Sequence, residues 1–164
     1  MSPGSAAGGV TGMMNQDEDI YRKHSQELVR FATGLVGPFD AQDVVTDACL
    51  RAFQSRSWPE VTNRRAYLYR SVLNQAHSHH RSTLRRRIRE HSAAGPGRVE
   101  QSPVDLDVLR AVDKLSMQQR ACVFLTYWDD LAPAQVAARL GISEGSVKRH
   151  LARARARLKE LLHD

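Results

Sequence analysis

The sequence predicts an all-α protein of two small helical domains, joined by a flexible linker and carrying a helix-turn-helix in the C-terminal domain. Only 6% of the 164 residues are aromatic, so the cores have to be built mainly from Leu, Val and Ala, which favours helices over strands. Apolar residues recur at helical spacing along most of the chain, and no segment of useful length alternates as a strand does. Residues 92–104 are rich in Gly, Pro, Ser and Ala, which is typical of a linker between domains.

The N-terminal domain, residues 15–91, is predicted to contain three helices. Each carries an apolar stripe at the spacing of a helix with one buried face. The stripes are Leu28, Phe31, Ala32 and Leu35; Ala41, Val44, Val45, Ala48 and Ala52; and Tyr69, Val72, Leu73 and Ala76. Gly37-Pro38 and Trp58-Pro59 interrupt the pattern between them, since proline cannot continue a helix. Residues 1–14 are rich in Gly, Ser and Ala, lack the regions of a signal peptide, and are expected to be disordered.

The C-terminal domain, residues 105–164, is predicted to contain four helices with local start and stop signals. Ser116 and Gln119 form a capping box, and Pro133 suits a first helical position. Gly141 can take the positive φ that ends a helix, and Ser143 is a good N-cap for the next helix. The predicted buried residues are Val108, Leu109, Val112 and Leu115; Ala121, Phe124, Leu125 and Trp128; Val136, Ala137 and Leu140; and Val147, Leu151, Ala154 and Leu158. We expect no further domain after Leu162.

Charge points to a polyanionic partner. The formal net charge is +6 and the pI is about 9.8, a balance typical of proteins that bind nucleic acid or an anionic membrane surface. Basic residues concentrate between Arg56 and His91, with nine arginines against two glutamates, and again after Gly141. On the last predicted helix Arg149 and Arg153 lie opposite the apolar stripe. A helix with one apolar seam and one Arg/Ser face fits the major groove of DNA; the alternative is a plain solvated basic face.

The sequence does not favour an enzyme, a metalloprotein or a membrane protein. Cys49 and Cys122 are far apart and lie in amphipathic patterns, as expected of small core residues in a reducing cytosol. His77, His79, His80 and His91 raise the possibility of a metal site, and His77 and His80 lie three residues apart, but no cysteine or carboxylate is near that pair to complete the site. No nucleophile–base arrangement, phosphate-binding loop or paired carboxylates are found, so we expect no catalytic residue and no cofactor. No apolar run reaches the length of a membrane span.

The segment from Ala137 to Leu158, with its LGISEGSVK core and following RARARL stretch, resembles the −35-recognising region of extracytoplasmic-function (ECF) sigma factors. Leu115, Arg120 and Val123-Phe124-Leu125 resemble the family upstream, although Ser116 replaces its usual proline. The resemblance implies recognition of the −35 element in the major groove, where arginine can bind guanine edges and flanking charges bind phosphates. The implied −35 contacts are Ser143, Ser146, Lys148, Arg149, Arg153 and Arg157.

Two N-terminal segments resemble the same family. Residues 41–53 resemble the helix that binds core RNA polymerase, which implies core contacts by Asp43, Thr46, Asp47 and Arg51. The family usually has Gln at Thr46 and an aromatic residue at Cys49. Residues 63–81 resemble the segment that recognises and melts the −10 element, with Asn74 on the family's Asn and Ser78 where Asp is common. The implied −10 contacts are Asn63, Arg64, Arg65, Asn74, His77, Arg81 and Arg85. Hydrogen-bonding and cationic side chains are what holding unstacked bases requires.

The resemblance implies a sigma factor, a dissociable subunit that directs RNA polymerase to promoters and initiates transcription. The implied partners are RNA polymerase core, double-stranded promoter DNA, single-stranded −10 DNA and an anti-sigma factor, with no membrane, in the cytoplasm. One alternative keeps the helix-turn-helix in a stand-alone transcriptional regulator that needs no polymerase to find its site. Another is a protein-interaction role, in which the amphipathic helices are docking targets for an inhibitor.

Overall fold

The structure is a computed structural model that describes the backbone of residues 5–94 and 106–163, and the side chains of residues 15–82 and 110–163. Within these ranges it contains α-helices and one 3-10 turn and no strand, which confirms the all-α prediction. The helices are α1 (Ser5–Val36), α2 (Ala41–Gln54), α3 (Arg64–Ala94), α4 (Leu106–Asp113), α5 (Met117–Tyr127), α6 (Pro133–Leu140) and α7 (Glu144–His163), with the 3-10 turn at Trp58–Glu60.

The three N-terminal helices form as their apolar stripes predict. The stripes of α1, α2 and α3 are buried and face one another. Helix α1 ends at Val36, where Gly37 takes a φ of 89° that few other residues adopt. The start of α1 differs from the prediction, because the helix begins at Ser5 and includes most of the segment expected to be disordered. Extending a stable helix costs far less than nucleating one, and no proline lies between Ser5 and Val36 to interrupt it.

The connection between α2 and α3 is anchored by Trp58. Its side chain is buried, its indole Nε1 donates a hydrogen bond of 2.8 Å to Asp17 Oδ1 on α1, and its ring packs against those of Phe53 and Tyr67. A buried Trp needs such a partner for its N–H. This packing fixes where α3 begins and therefore the direction of its basic face.

In the C-terminal part the predicted local signals are confirmed. Ser116 and Gln119 form the capping box of α5, and Pro133 is the first residue of α6. Three described residues depart from the predicted buried faces: Trp128 is 62% exposed, and Val112 and Leu158 are only partly buried. Helix α5 ends at Tyr127, so Trp128 lies beyond its last turn and stacks on the outer face of Phe124, with ring centroids 6.1 Å apart. The side chains of Val108 and Leu109 lie outside the described residues.

The two parts of the chain pack against each other. Helix α1 contacts α5, and α3 contacts both α5 and α6, so the buried residues of α1–α3 and α5–α7 form one continuous apolar core. Gly34 of α1 lies directly against the Phe124 ring of α5. The sequence patterns did not predict this contact. Most of the predicted linker, from residue 95 onward, lies outside the described residues.

Candidate nucleic-acid and polymerase interface

The local sequence around the turn before α7 positions the predicted recognition helix. Gly141 ends α6 with a φ of 67°, and the partly buried Ile142 packs on the core beside it. Ser143 then caps α7 by accepting a hydrogen bond of 3.1 Å from the backbone N–H of Ser146. Val147, Leu151 and Ala154 are buried, as predicted, and so hold the opposite face of α7 towards solvent.

The predicted −35 residues lie together on this outward face. Ser146 is half-buried, whereas Lys148, Arg149, Arg153 and Arg157 are exposed. Arg149 Nη2 donates to Ser146 Oγ over 3.2 Å, which directs the guanidinium along the helix surface. Lys148 and Arg157 form exposed ion pairs with Glu144 and Glu160, both at 3.4 Å. Pairs this exposed contribute little energy, so a phosphate can displace them at small cost.

His150 is a residue of this surface that the sequence patterns did not single out. Partial burial, followed by the positive charges of Arg153 and Arg149, lowers the pKa of His150 below 6.5. It is therefore neutral at physiological pH and able to accept or donate one hydrogen bond. No spacing signal distinguishes it, because the shift depends on the crowding of charge around the folded helix.

Helix α3 carries a second exposed basic face. Asn74, His77 and Arg81 are exposed and recur at helical spacing, so they share this face as predicted. Arg70 lies one turn earlier on the same stripe and was not among the predicted contacts. Its spacing of four residues from Asn74 is the signal that could have identified it. Arg85 lies on α3, but its side chain is outside the described residues.

The other three predicted −10 residues already have partners within the fold. Asn63 Oδ1 accepts a hydrogen bond of 3.1 Å from the N–H of Ala66 and so caps α3. The Arg64 guanidinium lies over the Trp58 ring, 5.1 Å from its centroid. Arg65 Nε donates to Glu27 Oε1 of α1 over 2.6 Å. These side chains therefore help to hold the start of α3 in place, and DNA would have to compete with those contacts.

Glu27 is the acidic centre of that arrangement. Burial by itself would raise the pKa of Glu27, but hydrogen bonds from Arg65, Tyr69 and His24 outweigh it and bring the pKa below 4.5. Burial raises the pKa of Tyr69 to about 12, and its hydroxyl donates to Glu27 over 3.0 Å. The carboxylate thus stays ionised at neutral pH and fixes Arg65.

The exposed face of α2 holds the predicted polymerase contacts. Asp43, Thr46, Asp47 and Arg51 are all exposed on this face. The structure adds two apolar residues that sequence reasoning missed. Leu50 is 52% exposed between Asp47 and Arg51, and Phe39, in the turn before α2, is 98% exposed. Large apolar side chains exposed beside charged ones are typical of protein–protein interfaces.

The remaining chemistry-bearing groups do not form a second site in the described part of the chain. Cys49 and Cys122 are buried, and burial raises the pKa of each thiol to about 11. His79 pairs with Asp40 over 3.1 Å, and no three His, Cys, Asp or Glu side chains converge as metal ligands among the described residues. None of the described helices is both long and apolar enough to cross a membrane.

Two protein-family models match the chain in succession. Residues 20–87 match the model of sigma-70 region 2, and residues 105–158 match the model of sigma-70 region 4. The first range includes α2 and the exposed face of α3. The second includes α5, α6 and most of α7.

Full-length relatives and solved structures agree with these matches. The RNA polymerase sigma-E factor of Streptomyces antibioticus is 33% identical over 92% of this chain and 87% of its own length. The ECF RNA polymerase sigma factor SigL of Mycobacterium tuberculosis is 35% identical over 80% of each chain. The fold is similar to that of CnrH in its complex with the cytosolic domain of CnrY, with a TM-score of 0.57, 24% identity and coverage of 96% and 94%. It is also similar to that of the sigma factor RpoE bound to the anti-sigma factor NepR from Bartonella quintana, with a TM-score of 0.54, 24% identity and coverage of 89% and 98%.

Proposed function

Because the chain belongs to the ECF group of sigma-70 RNA polymerase sigma factors and directs RNA polymerase to promoters, we propose how its surfaces divide that task. Helix α7 recognises the −35 element, the outer face of α3 captures the −10 element, and α2 binds the polymerase core. The observation that carries this assignment is that the three predicted surfaces lie exposed on three different helices, each held in place by a buried apolar stripe.

The −35 assignment rests on the outward face of α7. Arg149 and Arg153 are one turn apart and exposed, and both can reach base edges once the helix lies in the major groove. Ser143, Ser146, Lys148 and Arg157 flank them and are suited to phosphate contacts. Neutral His150, which is partly buried at the edge of this face, adds a hydrogen-bonding group beside the two arginines.

The −10 assignment rests on the stripe of Asn74, His77 and Arg81, which is exposed along α3. Asn74 and His77 can hydrogen-bond to unstacked bases, and Arg81 can pair with a phosphate or stack on a base. Arg85 continues the stripe in sequence. Asn63, Arg64 and Arg65 support the start of α3, and Arg64 and Arg65 reach DNA only by exchanging Trp58 and Glu27 for phosphates.

The polymerase assignment rests on the exposed face of α2. Asp43, Asp47 and Arg51 offer complementary charges, and Leu50 and Phe39 offer apolar area that a partner would cover. An apolar anchor surrounded by polar groups is the usual composition of a tight interface. We therefore include Leu50 and Phe39 with Asp43, Thr46, Asp47 and Arg51 in the polymerase contact.

Further parts of the proposal follow from family membership. Residues 15–91 and 105–164 act as separate modules joined by residues 92–104, and an anti-sigma factor binds the chain. Sigma factors are non-enzymatic initiation factors, and we propose that this chain likewise contributes no catalytic residue. It would act in the cytoplasm, where bacterial RNA polymerase transcribes. A candidate anti-sigma factor is tested by whether it abolishes transcription that depends on this chain and leaves transcription by another sigma factor unchanged.

The deciding experiment is run-off transcription with purified core polymerase, a promoter library and the chain. We expect transcripts that appear only when the chain is added, from templates that share a −35 and a −10 element. Sequence-specific, high-affinity binding of the chain to DNA without core, and no chain-dependent transcript, would instead favour a stand-alone regulator.

A further inference from the structure

We propose that Asp17 of α1 is a positioning residue for capture of the −10 element. Its carboxylate orients the Trp58 indole, and the indole in turn sets the start of the exposed face of α3. The inference rests on the proposed function, because it concerns how that face is held in place. Asp17 precedes residues 20–87, which match sigma-70 region 2, so the family match assigns it no role.

The Trp58 indole is held by one hydrogen bond and two ring contacts. The side chain is 1% exposed and lies in the 3-10 turn between α2 and α3. Its N–H donates to Asp17 Oδ1 over 2.8 Å, across 41 residues of sequence. The rings of Phe53 and Tyr67 pack on it with centroids 5.1 and 5.6 Å away. Ring packing alone leaves open which way the N–H points, whereas a hydrogen bond to a carboxylate is directional and fixes it.

Tyr67 connects the indole to the exposed face of α3. It lies in the first turn of α3, and its ring meets that of Trp58 edge to face, with an interplanar angle of 60°. The Tyr67 hydroxyl lies 3.5 Å from Ser57 Oγ, beside the 3-10 turn. The guanidinium of Arg70 lies 6.0 Å from the Tyr67 ring centroid. Arg70 begins the exposed stripe that Asn74 continues one turn later, so direct contacts lead from the indole to this stripe.

Arg64 at the start of α3 depends on the same indole. Its guanidinium lies 5.1 Å from the Trp58 ring centroid, in a cation–π contact that the orientation of the ring determines. The buried residues Leu68 and Tyr69 hold the axis of α3 against the core. They do not orient the side chains of its first turn on the outer face. That orientation depends on Trp58, and therefore on the carboxylate that fixes its N–H.

Loss of the Asp17 carboxylate would leave the indole N–H buried without a partner, which is unfavourable. The indole regains a partner only by turning towards solvent, and Tyr67 and Arg64 would move with it because both contact its ring. A shift of about 1 Å is enough to break a hydrogen bond to a base, since donor–acceptor distances span only about 2.7–3.2 Å. The expected consequence is a weaker preference for the −10 sequence, in addition to a less stable fold.

The test measures ratios between transcripts, which do not depend on how much of the chain is folded. Run-off transcription with core polymerase and the full chain compares a promoter selected from the library with templates that carry single substitutions in the −10 or the −35 element. Asp17→Ala removes the hydrogen-bond acceptor, and Asp17→Asn keeps an acceptor oxygen. Asn74→Ala is the reference for a direct −10 contact. Asp19→Ala is the matched control, because Asp19 has the same charge and is exposed on the opposite side of α1.

Asp17→Ala should lower the preference for the matched base at one or more −10 positions by about fivefold, the low end of what one base pair contributes, and leave every −35 preference unchanged. Asp17→Asn should retain most of the −10 preference, and Asp19→Ala all of it. Trp58→Phe removes the N–H and keeps an aromatic ring, so it should lower the −10 preference as Asp17→Ala does. Combining these two changes should add nothing, since both break the same hydrogen bond.

Unchanged −10 preferences in Asp17→Ala, together with a changed preference in Asn74→Ala, would overturn the inference and leave the proposed function intact. A loss of transcript in the same proportion from every template would likewise overturn it, because Asp17 would then only stabilise the fold. Unchanged preferences in Asn74→Ala would contradict the proposed −10 surface and the positioning role together. If Asp17→Ala does not fold, Trp58→Phe provides the same comparison, and wild-type −10 preferences in that variant would overturn the inference.

Discussion

Replacing Arg120 with alanine should destabilise the folded chain by about 2–4 kcal/mol. The side chain is 3% exposed, and it donates to the Leu35 carbonyl over 2.9 Å and to the Asp113 carbonyl. A hydrogen bond from a charged group contributes about 1.5–3 kcal/mol, so loss of both would cost about 3–6 kcal/mol. Burial lowers the pKa of Arg120 because the charged form loses hydration. Removing the guanidinium also removes this desolvation cost, which offsets part of the free energy lost with the two hydrogen bonds. The net destabilisation is therefore smaller, about 2–4 kcal/mol.

Thermal and urea unfolding of the wild type, Arg120→Ala and the control Arg110→Ala measure this effect. Arg110 is exposed on α4, and its removal should change stability by less than about 0.5 kcal/mol. For a chain of 164 residues, Arg120→Ala should lower the melting temperature by about 5–15 °C, at 2–4 °C per kcal/mol. Equal melting temperatures for the two variants would refute the assignment of Arg120 as the buried polar link between α1, α4 and α5.

Four further predictions concern binding and pH. Arg149→Ala should weaken promoter binding by the holoenzyme by about 1–3 kcal/mol and relax the base preference at one −35 base pair. Lys114→Ala is the control. If both variants kept the wild-type base preference, Arg149 would be a surface charge only. If about six phosphates are contacted, the logarithm of the holoenzyme–promoter binding constant should fall with the logarithm of salt concentration with a slope of about −5, and a flat response in filter binding would contradict the two basic surfaces. Leu50→Asp should weaken binding to core by about tenfold or more in a titration, whereas Lys23→Asp on α1 should not; equal affinities would exclude Leu50 from the contact. The pKa of Glu27 lies below 4.5 in the folded chain, so the ionised carboxylate stabilises the fold above about pH 4.5, and that contribution is lost as the pH falls through the folded pKa. The difference in unfolding free energy between wild type and Glu27→Gln should therefore shrink from about pH 7 to about pH 3.5. A difference that stays constant would contradict the hydrogen-bond network around Glu27.

Local sequence signals predicted the helices and their ends because each signal acts within one or two turns. The capping box at Ser116, the left-handed Gly141 and the N-cap at Ser143 satisfy backbone groups of their own helix, and all three appear in the structure as predicted. Trp128 was placed on a buried face because the stripe of α5 was extended by one residue too many. At that residue the helix has ended, so helical periodicity no longer determines which way the side chain points.

Features that depend on partners distant in sequence could not be predicted from a single sequence. Gly34 in α1 signals a close approach, but nothing in its neighbourhood identifies Phe124 as the partner. Arg65 was predicted as a −10 contact from its position in the segment, and its ion pair with Glu27 of α1 appears only in the fold. The exposure of Leu50 was missed because an apolar residue on an amphipathic helix is ordinarily assigned to the core. Its position around the helix, between Asp43 and Thr46 on the polar face, was the available signal.

The most direct test of promoter recognition by two modules fixed on one polymerase is run-off transcription from a promoter whose spacer is varied. Insertion of about 5 bp between the −35 and −10 elements turns one element to the opposite side of the duplex, since a helical turn is 10–10.5 bp. If α7 and α3 bind the two elements while core fixes their relative position, chain-dependent transcription should fall to background with the insertion and return when the 5 bp are deleted. Transcription that is equally strong with both spacers would contradict the account.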